Sequence, residues 1–452
     1  MSRWFEVAWR HRLAALGVGV ALLLAASMLW SLLVPHPDRL VEAIRQQGYP
    51  VSLAELDAWY PSVPAQENAA LVYTNAFAGL TNSEGPITNF IGKNWLPPLG
   101  QGLLAEEKDE LTEVLQANQT ALRRLYSAPA SGRSRYPVRL QEGFTMELPH
   151  LAKLKPAVSL LTAEGLMHAT DGDAERATQA FLAAGRVADS VADEPALISQ
   201  LVRFACWGII LPRLERALSL ATFTDGQLAE LQKVVAMAER PQAAVRGLAA
   251  EQACGIAIFT DPKIMTALFN GFKPVRSKAG QLEMTSIVSL FRISGLPQRD
   301  KAFYLASMGR QIAAMERPYP ARFAAGQQVA GVTNLPGRFY IVSRMMLPGL
   351  QKFQLRDAEH TALVRVATTA LAIERFRVAH ANALPDHLEQ LAPSCCPTVP
   401  ADPFDGQPLR YKKHSSSYAV YSLGNDAQDN GGVSWDAKPL KTPQDVGFVV
   451  KH

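Results

Sequence analysis

The feature that most constrains this chain is a run of 22 residues, Leu13 to Val34, without one charged side chain. As a helix rising about 1.5 Å per residue, the run would be about 33 Å long, the thickness of a bilayer's hydrocarbon core. Arg3, Arg10 and Arg12 precede it, Asp38 and Arg39 come after it, and Trp4, Trp9 and Trp30 stand where interfacial aromatics collect. The arginine bias places the amino terminus in the cytoplasm and the chain beyond residue 36 outside it. A cleaved signal peptide is the competing reading, with Ala25-Ala26-Ser27 as a small-residue site. Such peptides have apolar cores of only about 7–15 residues, so the expectation is an uncleaved, single-pass signal-anchor over residues 1–36.

The chain beyond this run is long and apolar enough to build cores. Of 452 residues, 48% are hydrophobic and 19% charged, which excludes a disordered chain. The 45 Lys+Arg against 41 Asp+Glu give a net charge of +4, too even for a nucleic-acid binder, so no nucleic acid is expected as a partner. From residue 37 to 355 the pattern is an α-helical body of hairpins or bundles. Ser52-Leu53-Ala54-Glu55 and Thr224-Asp225-Gly226-Gln227 are capping boxes, and the second helix should stop before Pro241. Leu104, Leu111, Leu115, Leu122 and Leu125 repeat at helical spacing. Gly165, His168, Gly172, Ala177, Phe181 and Ala184 fit a tetratricopeptide-like unit, and without a second copy they read as one helical hairpin. Thr81 to Gly102, Ser127 to His150 and Pro274 to Gln281 read as long loops.

Beyond residue 356 the periodicity changes. Arg356 to Ala381 is an amphipathic helix with Leu363, Val366, Ala370, Ile373 and Phe376 on one face. Asn382 suits a left-handed helix end. Pro408 to Lys413, Tyr418 to Leu423 and Gln444 to Val450 read as strands, with a Gly/Asn/Asp-rich loop from Gly424 to Gly432. The expected fold is thus mostly α, with an amino-terminal transmembrane helix and a small α+β domain over residues 356–452.

The tail carries Ala370-Leu371-Ala372-Ile373-Glu374-Arg375-Phe376, Leu384-Pro385, Leu388, Leu391, Asp402-Pro403-Phe404-Asp405-Gly406, Ser422-Leu423-Gly424-Asn425-Asp426 and Asp445-Val446. In order and spacing it resembles the periplasmic domain of the type II secretion major pseudopilin. The whole chain resembles membrane-anchored bacterial envelope proteins that carry this tail after a helical body. The resemblance implies an inner-membrane protein with its bulk in the periplasm and envelope proteins as partners. It also implies calcium in the loop, held by the carboxylates of Asp426 and Asp445 and the carbonyls of Leu423 and Gln428. All are oxygen donors of the kind calcium takes; a solvated Asx/Gly turn needing no ion is the alternative. A prepilin-peptidase site is missing, because no glycine stands before Glu6, and Gly143-Phe144-Thr145-Met146-Glu147 imitates one without the apolar run.

No His-Glu-x-x-His, Gly-x-Ser-x-Gly or phosphate loop occurs. His380, Asp386 and His387 read as capping and surface residues, and Glu147 with His150 and Glu359 with His360 as exposed pairs. Cys395 and Cys396 are read as a vicinal disulfide or two thiols, Cys206 and Cys254 as buried thiols or a pair. The function expected is an interaction or scaffold component, tied to a type II secretion or pilus-like system. The alternative is a hydrolase-like envelope enzyme with its site in the helical body.

Overall fold

The computed structural model describes residues 37–81, 95–129, 132–261, 263–265, 296–332, 340–432 and 445–452, together with Val18 and Ala25. The expected anchor, Leu13 to Val34, lies outside the described residues apart from those two. So do the loop expected at Pro274 to Gln281 and most of that expected at Thr81 to Gly102.

The described chain is mostly helical, with one small antiparallel sheet. Helices α1 (Pro37–Gln46), α2 (Leu53–Trp59) and α3 (Ala69–Ala78) open it. Ser52 caps α2, its Oγ accepting from the Glu55 amide at 3.2 Å. The leucine repeat beginning at Leu104 forms two helices rather than one, α4 (Ala105–Ala117) and α5 (Gln119–Tyr126). Asn118 breaks the run, its carboxamide bonding back to the Val114 carbonyl at 2.9 Å, and Leu104 itself is exposed ahead of α4. Ser127 to His150 holds only a short 3-10 turn, Leu140–Thr145, among the described residues.

Next comes the expected hairpin, α6 (Leu151–Thr170) and α7 (Ala174–Asp189). Gly172 makes its turn at φ +79, a conformation that glycine adopts without steric cost. A Cβ at Gly165 would lie 3.1 Å from the Phe181 ring, so the small residue sets how closely the helices approach.

Helix α8 (Leu197–Leu218) is next, and among the described residues it alone is long and apolar enough to cross a membrane. Within this fold it is a core helix, packed on α6 and α7, with Arg203, Arg213, Glu215 and Arg216 buried along it. Helix α9 (Asp225–Met237) starts at the expected capping box: Thr224 Oγ1 accepts from the Gln227 amide at 3.3 Å, and Gln227 Oε1 from the Thr224 amide at 2.9 Å. Helices α10 (Pro241–Thr260), α11 (Leu296–Met315) and α12 (Ala321–Val332) complete the body.

The last helix, α13 (Ile341–Ala379), has 39 residues and runs uninterrupted through the boundary expected at 355/356. At about 1.5 Å per residue it is about 58 Å long. Its first part packs Leu347, Leu350 and Phe353 with α1, α10 and α11. Its second part packs Leu363, Val366, Leu371 and Ile373 into a larger core shared with α3 through α9. Val364, Ala367 and Ala372, placed off the expected apolar face, are buried as well, so most of this stretch's circumference is covered. The change of periodicity near Arg356 therefore marks where α13 passes from one core to the other. The tail's buried apolar residues belong to the same core as those of α3 through α9.

Strands β1 (Arg410–Lys413), β2 (Ser417–Ser422) and β3 (Val446–Lys451) form the sheet in the order β1-β2-β3, both pairs antiparallel. Tyr418, Val420, Phe448 and Val450 join the larger core, and Tyr418 Oη donates to the Ala370 carbonyl of α13 at 3.1 Å. The outer edge of β3 is closed by α8: the Val449 amide donates to Glu215 Oε1 at 2.6 Å and the Lys451 amide to Ser219 Oγ at 3.1 Å. Arg365–Glu239 and Arg375–Asp225 ion pairs tie α13 to both ends of α9, the second at 2.7 Å.

A charged seam lies where α13 changes cores. Arg322 and Asp357 pair at 3.0 Å, both nearly buried, and Tyr319 Oη donates to the same carboxylate oxygen at 2.6 Å. His360 stacks on Phe204, and its Nε2 lies 3.2 Å from the Ala238 carbonyl, so Nε2 carries the proton. The expected exposed pair with Glu359 is not formed: Glu359 pairs with Arg356 at 2.7 Å while His360 is buried. All four cysteines are free and buried, so neither the vicinal disulfide nor a Cys206–Cys254 bridge forms.

Residues 356–452 expressed alone should lack a cooperative urea transition, since their apolar face is completed by α3 through α9. A sharp transition with mixed helix–strand dichroism would show that the tail's own contacts suffice. A second test concerns His360, whose pKa burial, and then Arg203, pushes down to about 3. Unfolded, it titrates near 6.5, so below that pH the unfolded chain takes up a proton that the folded chain refuses, and stability falls with pH. Between pH 7 and 5 wild type should lose about 2 kcal/mol relative to His360→Gln in denaturant titrations. The comparison cancels other groups, including Glu251, which burial pushes up to about 7 and which acts in the opposite sense. A gap that stays constant with pH would mean that the folded protein admits the proton.

Candidate functional site

The expected calcium residues fall on the loop that leaves β2 and on the residue that leads into β3. Gly432 folds the loop over the outer face of the sheet: its φ is +71, and a Cβ there would lie 2.4 Å from Tyr421 Cδ1. Tyr421 Oη donates to Asp429 Oδ1 at 3.1 Å, and Lys412 Nζ to the Gly431 carbonyl at 3.1 Å. Asp426 makes an Asx turn, Oδ1 accepting from the Gln428 amide at 3.2 Å and Oδ2 from Asn430 Nδ2 at 3.2 Å. The Gln428 carbonyl also accepts from Asn430 Nδ2, at 3.1 Å.

Asp445 ties loop to strand by itself, since Oδ2 accepts from the Gly432 amide at 2.7 Å. Its other oxygen, Oδ1, is buried without a hydrogen-bond partner among the described residues. A buried, unmatched carboxylate oxygen is costly, and a cation would relieve it. The donor set therefore fits calcium in kind. Among the described residues no group of three or more His, Cys, Asp or Glu gathers at one point, so an ion here would rest on two carboxylates and on carbonyls. Leu423 is buried, its amide donating to Asp402 Oδ2 at 2.9 Å. Asp402 also accepts from Ser422 Oγ, the Phe404 amide and Arg410, which makes it the hub that fixes the loop's root without a metal.

A second site lies in the body and was not visible in the sequence. A cleft of about 220 Å³ opens between α3, the 136–149 connection and the start of α6. Phe77, Tyr136, Pro137, Val138 and Pro149 make it mostly apolar, with Glu147, His150 and Lys153 as its charged or basic members. His150 is buried, not exposed beside Glu147. Its ring stacks on Tyr136, centroids 4.0 Å apart, and its Nε2 lies 3.0 Å from a carboxylate oxygen of the fully buried Glu194. Ser199 Oγ donates at 2.5 Å to Glu194 Oε1, the oxygen that also lies 3.1 Å from His150 Nε2. Tyr136 is held in turn, its Oη 2.9 Å from Ser190 Oγ and its amide donating to Tyr60 Oη at 3.3 Å.

Glu194 thus fixes the imidazole with its proton on Nε2 and leaves Nδ1 as the basic nitrogen. That is how a carboxylate prepares a general base, but a hydrolase also needs a nucleophile within reach of that base. Ser199 Oγ is committed to Glu194 Oε1, the oxygen it shares with His150 Nε2, and Thr74 Oγ1 in the cleft donates to the Ala70 carbonyl at 2.8 Å. His380, Asp386 and His387, by contrast, behave as the sequence indicates: His380 stacks on Phe376 and Asp386 pairs with Lys413 at 2.7 Å. Nothing local marks Glu194 as the partner of a histidine 44 residues away; only the turn after α7 brings it there. No family model, curated protein or solved structure matches this chain.

Proposed function

We propose that the chain is an exported, membrane-anchored interaction component of the bacterial envelope. In this reading Leu13 to Val34 holds it in the inner membrane, the amino terminus is cytoplasmic, and the folded body lies in the periplasm. The observation that carries the interaction reading is the apolar cleft beside Tyr136 and His150. At about 220 Å³ it is smaller than the roughly 300–1,000 Å³ of ordinary small-molecule sites and suits one bulky apolar side chain of a protein partner. The resemblance of the tail suggests a partner within a type II secretion or pilus-like system. The Glu194–His150 pair favours the second reading, an envelope enzyme, but the described hydroxyls at the site, Ser199 and Thr74, are engaged with Glu194 and the Ala70 carbonyl.

In the same reading, calcium joins Asp426 and the buried oxygen of Asp445, reinforcing a tie that the Gly432 amide already makes. The ion's role is structural, holding the loop against the sheet.

Topology and binding can be tested together in cells. Protease added to spheroplasts should digest the body and leave an amino-terminal tag protected; a soluble form lacking the first residues would support cleavage instead. A photoreactive residue at Val138 should crosslink to an envelope protein, and Ala78→Trp, at an exposed cleft position, should remove the adduct without changing the melting temperature. Adducts that persist in Ala78→Trp would place the partner elsewhere.

Calcium should raise the melting temperature of the full chain relative to chelator. At tenfold excess over Kd the gain would be about 1.4 kcal/mol. Asp426→Ala and Asp445→Asn should each abolish the shift, while Asp386→Ala, across the sheet's other end, should keep it. Identical melts with calcium and chelator would leave the loop a hydrogen-bonded turn.

A further inference from the structure

Helices α7 and α9 pass each other with a groove of about 450 Å³ between them, separate from the cleft beside His150. Its floor is apolar, made by Leu182 and Gly185 of α7 and by Val234 and Met237 of α9. Gly185 lets the two helices close up, because a Cβ there would lie 2.6 Å from Val234 Cγ1. Met237, the last residue of α9, is 50% exposed at the groove.

The walls of the groove are charged and their charges do not balance. Arg186, Lys233 and Arg240 face Asp189 and Glu230. Asp189 is already engaged: its Oδ1 accepts from Arg203 Nε at 2.7 Å and from Trp207 Nε1 at 3.0 Å. Its Oδ2 is 3.5 Å from Arg240 Nε, an ion pair too long and poorly aimed to be a hydrogen bond. Arg186 has neither a hydrogen bond nor an ion pair among the described residues, and its Nε is buried without an acceptor, as is that of Arg240. Both guanidinium side chains line one groove, and Arg186 brings to it a charge with no ion-pair partner among the described residues.

We propose that this groove binds a small organic anion, a carboxylate or phosphate monoester with a short apolar body. Arg186 and Arg240 take the anionic group, and Leu182, Val234 and Met237 take the body. The guanidinium fork matches both anions in a bidentate way, and the volume falls within the usual range for small-molecule sites. Lys233, on the exposed face of α9, adds attraction at the mouth.

Calorimetric titration of the full chain in detergent with hexanoate, hexyl phosphate and hexanol tests the assignment. At least one of the two anions should bind, and hexanol should not. Which anion binds more tightly identifies the carboxylate or the phosphate as the natural group. Arg186→Gln should weaken the anion by about tenfold or more, a loss of about 1.4 kcal/mol, with Arg186→Lys recovering part of it. Met237→Ser, at a half-exposed position that should not disturb folding, should weaken both anions alike. Hexanol binding as tightly as the anions, unchanged affinity in Arg186→Gln, or no binding of either anion at millimolar concentration would each overturn the proposal.

Discussion

The fold depends on the burial of α13. From Ala358 to Ile373 it presents alanine, valine, leucine and isoleucine to neighbours on most sides, with α9 against one side and the sheet against another. A helix with apolar residues over most of its circumference has to be largely enclosed. The elements around it answer that need. The sheet covers one flank, α8 closes the edge of β3 through Glu215 and Ser219, and α9 is locked by ion pairs from Arg365 and Arg375. Small residues such as Ala367, Ala370 and Ala372 let these partners approach closely without leaving voids.

The polar seam near Asp357 and His360 is the counterpart of that apolar stretch. Replacing one member of a buried pair such as Arg322–Asp357 leaves the other charge uncompensated, which typically costs about 3–5 kcal/mol. The pair itself is worth much less than this against well-packed apolar residues of the same size. Its effect is on geometry: the Arg322 guanidinium and the Tyr319 hydroxyl converge on one carboxylate oxygen, which fixes how α12 and the chain before it sit on α13.

Sequence rules hold in this fold wherever the interaction is local. Thr224 and Gln227 are three residues apart, Gly172 sits in its own turn, and Asn382 has the positive φ of 68 that its helix end calls for. The strands at Arg410, Ser417 and Val446 were legible from alternation and from the turn residues between them. The break in the leucine run from Leu104 was not, because periodicity continues across Asn118 while a side chain bonding to its own helix interrupts the backbone there. Of the loop expected to bind calcium, its position and its Asx turn at Asp426 were legible; the orphaned oxygen of Asp445 was not, because it depends on the docking of β3.

The sequence by itself determined the charge-free run near the amino terminus, the helical character of the body, its caps and the switch to strands after residue 400. The run rests on length and lack of charge, and the others on spacing of 2 or 3.6 residues or on a hydrogen bond spanning three to five positions. Only the tertiary structure decided which polar residues are buried and with whom. His150 sits near Glu147 in sequence but is paired with Glu194; His360 sits beside Glu359 but is stacked on Phe204. The change of pattern at Arg356 signalled a new environment, and the structure showed that environment to be the larger core of the body itself. Burial is a property of what packs from elsewhere in the chain, so no window of neighbouring residues contains it.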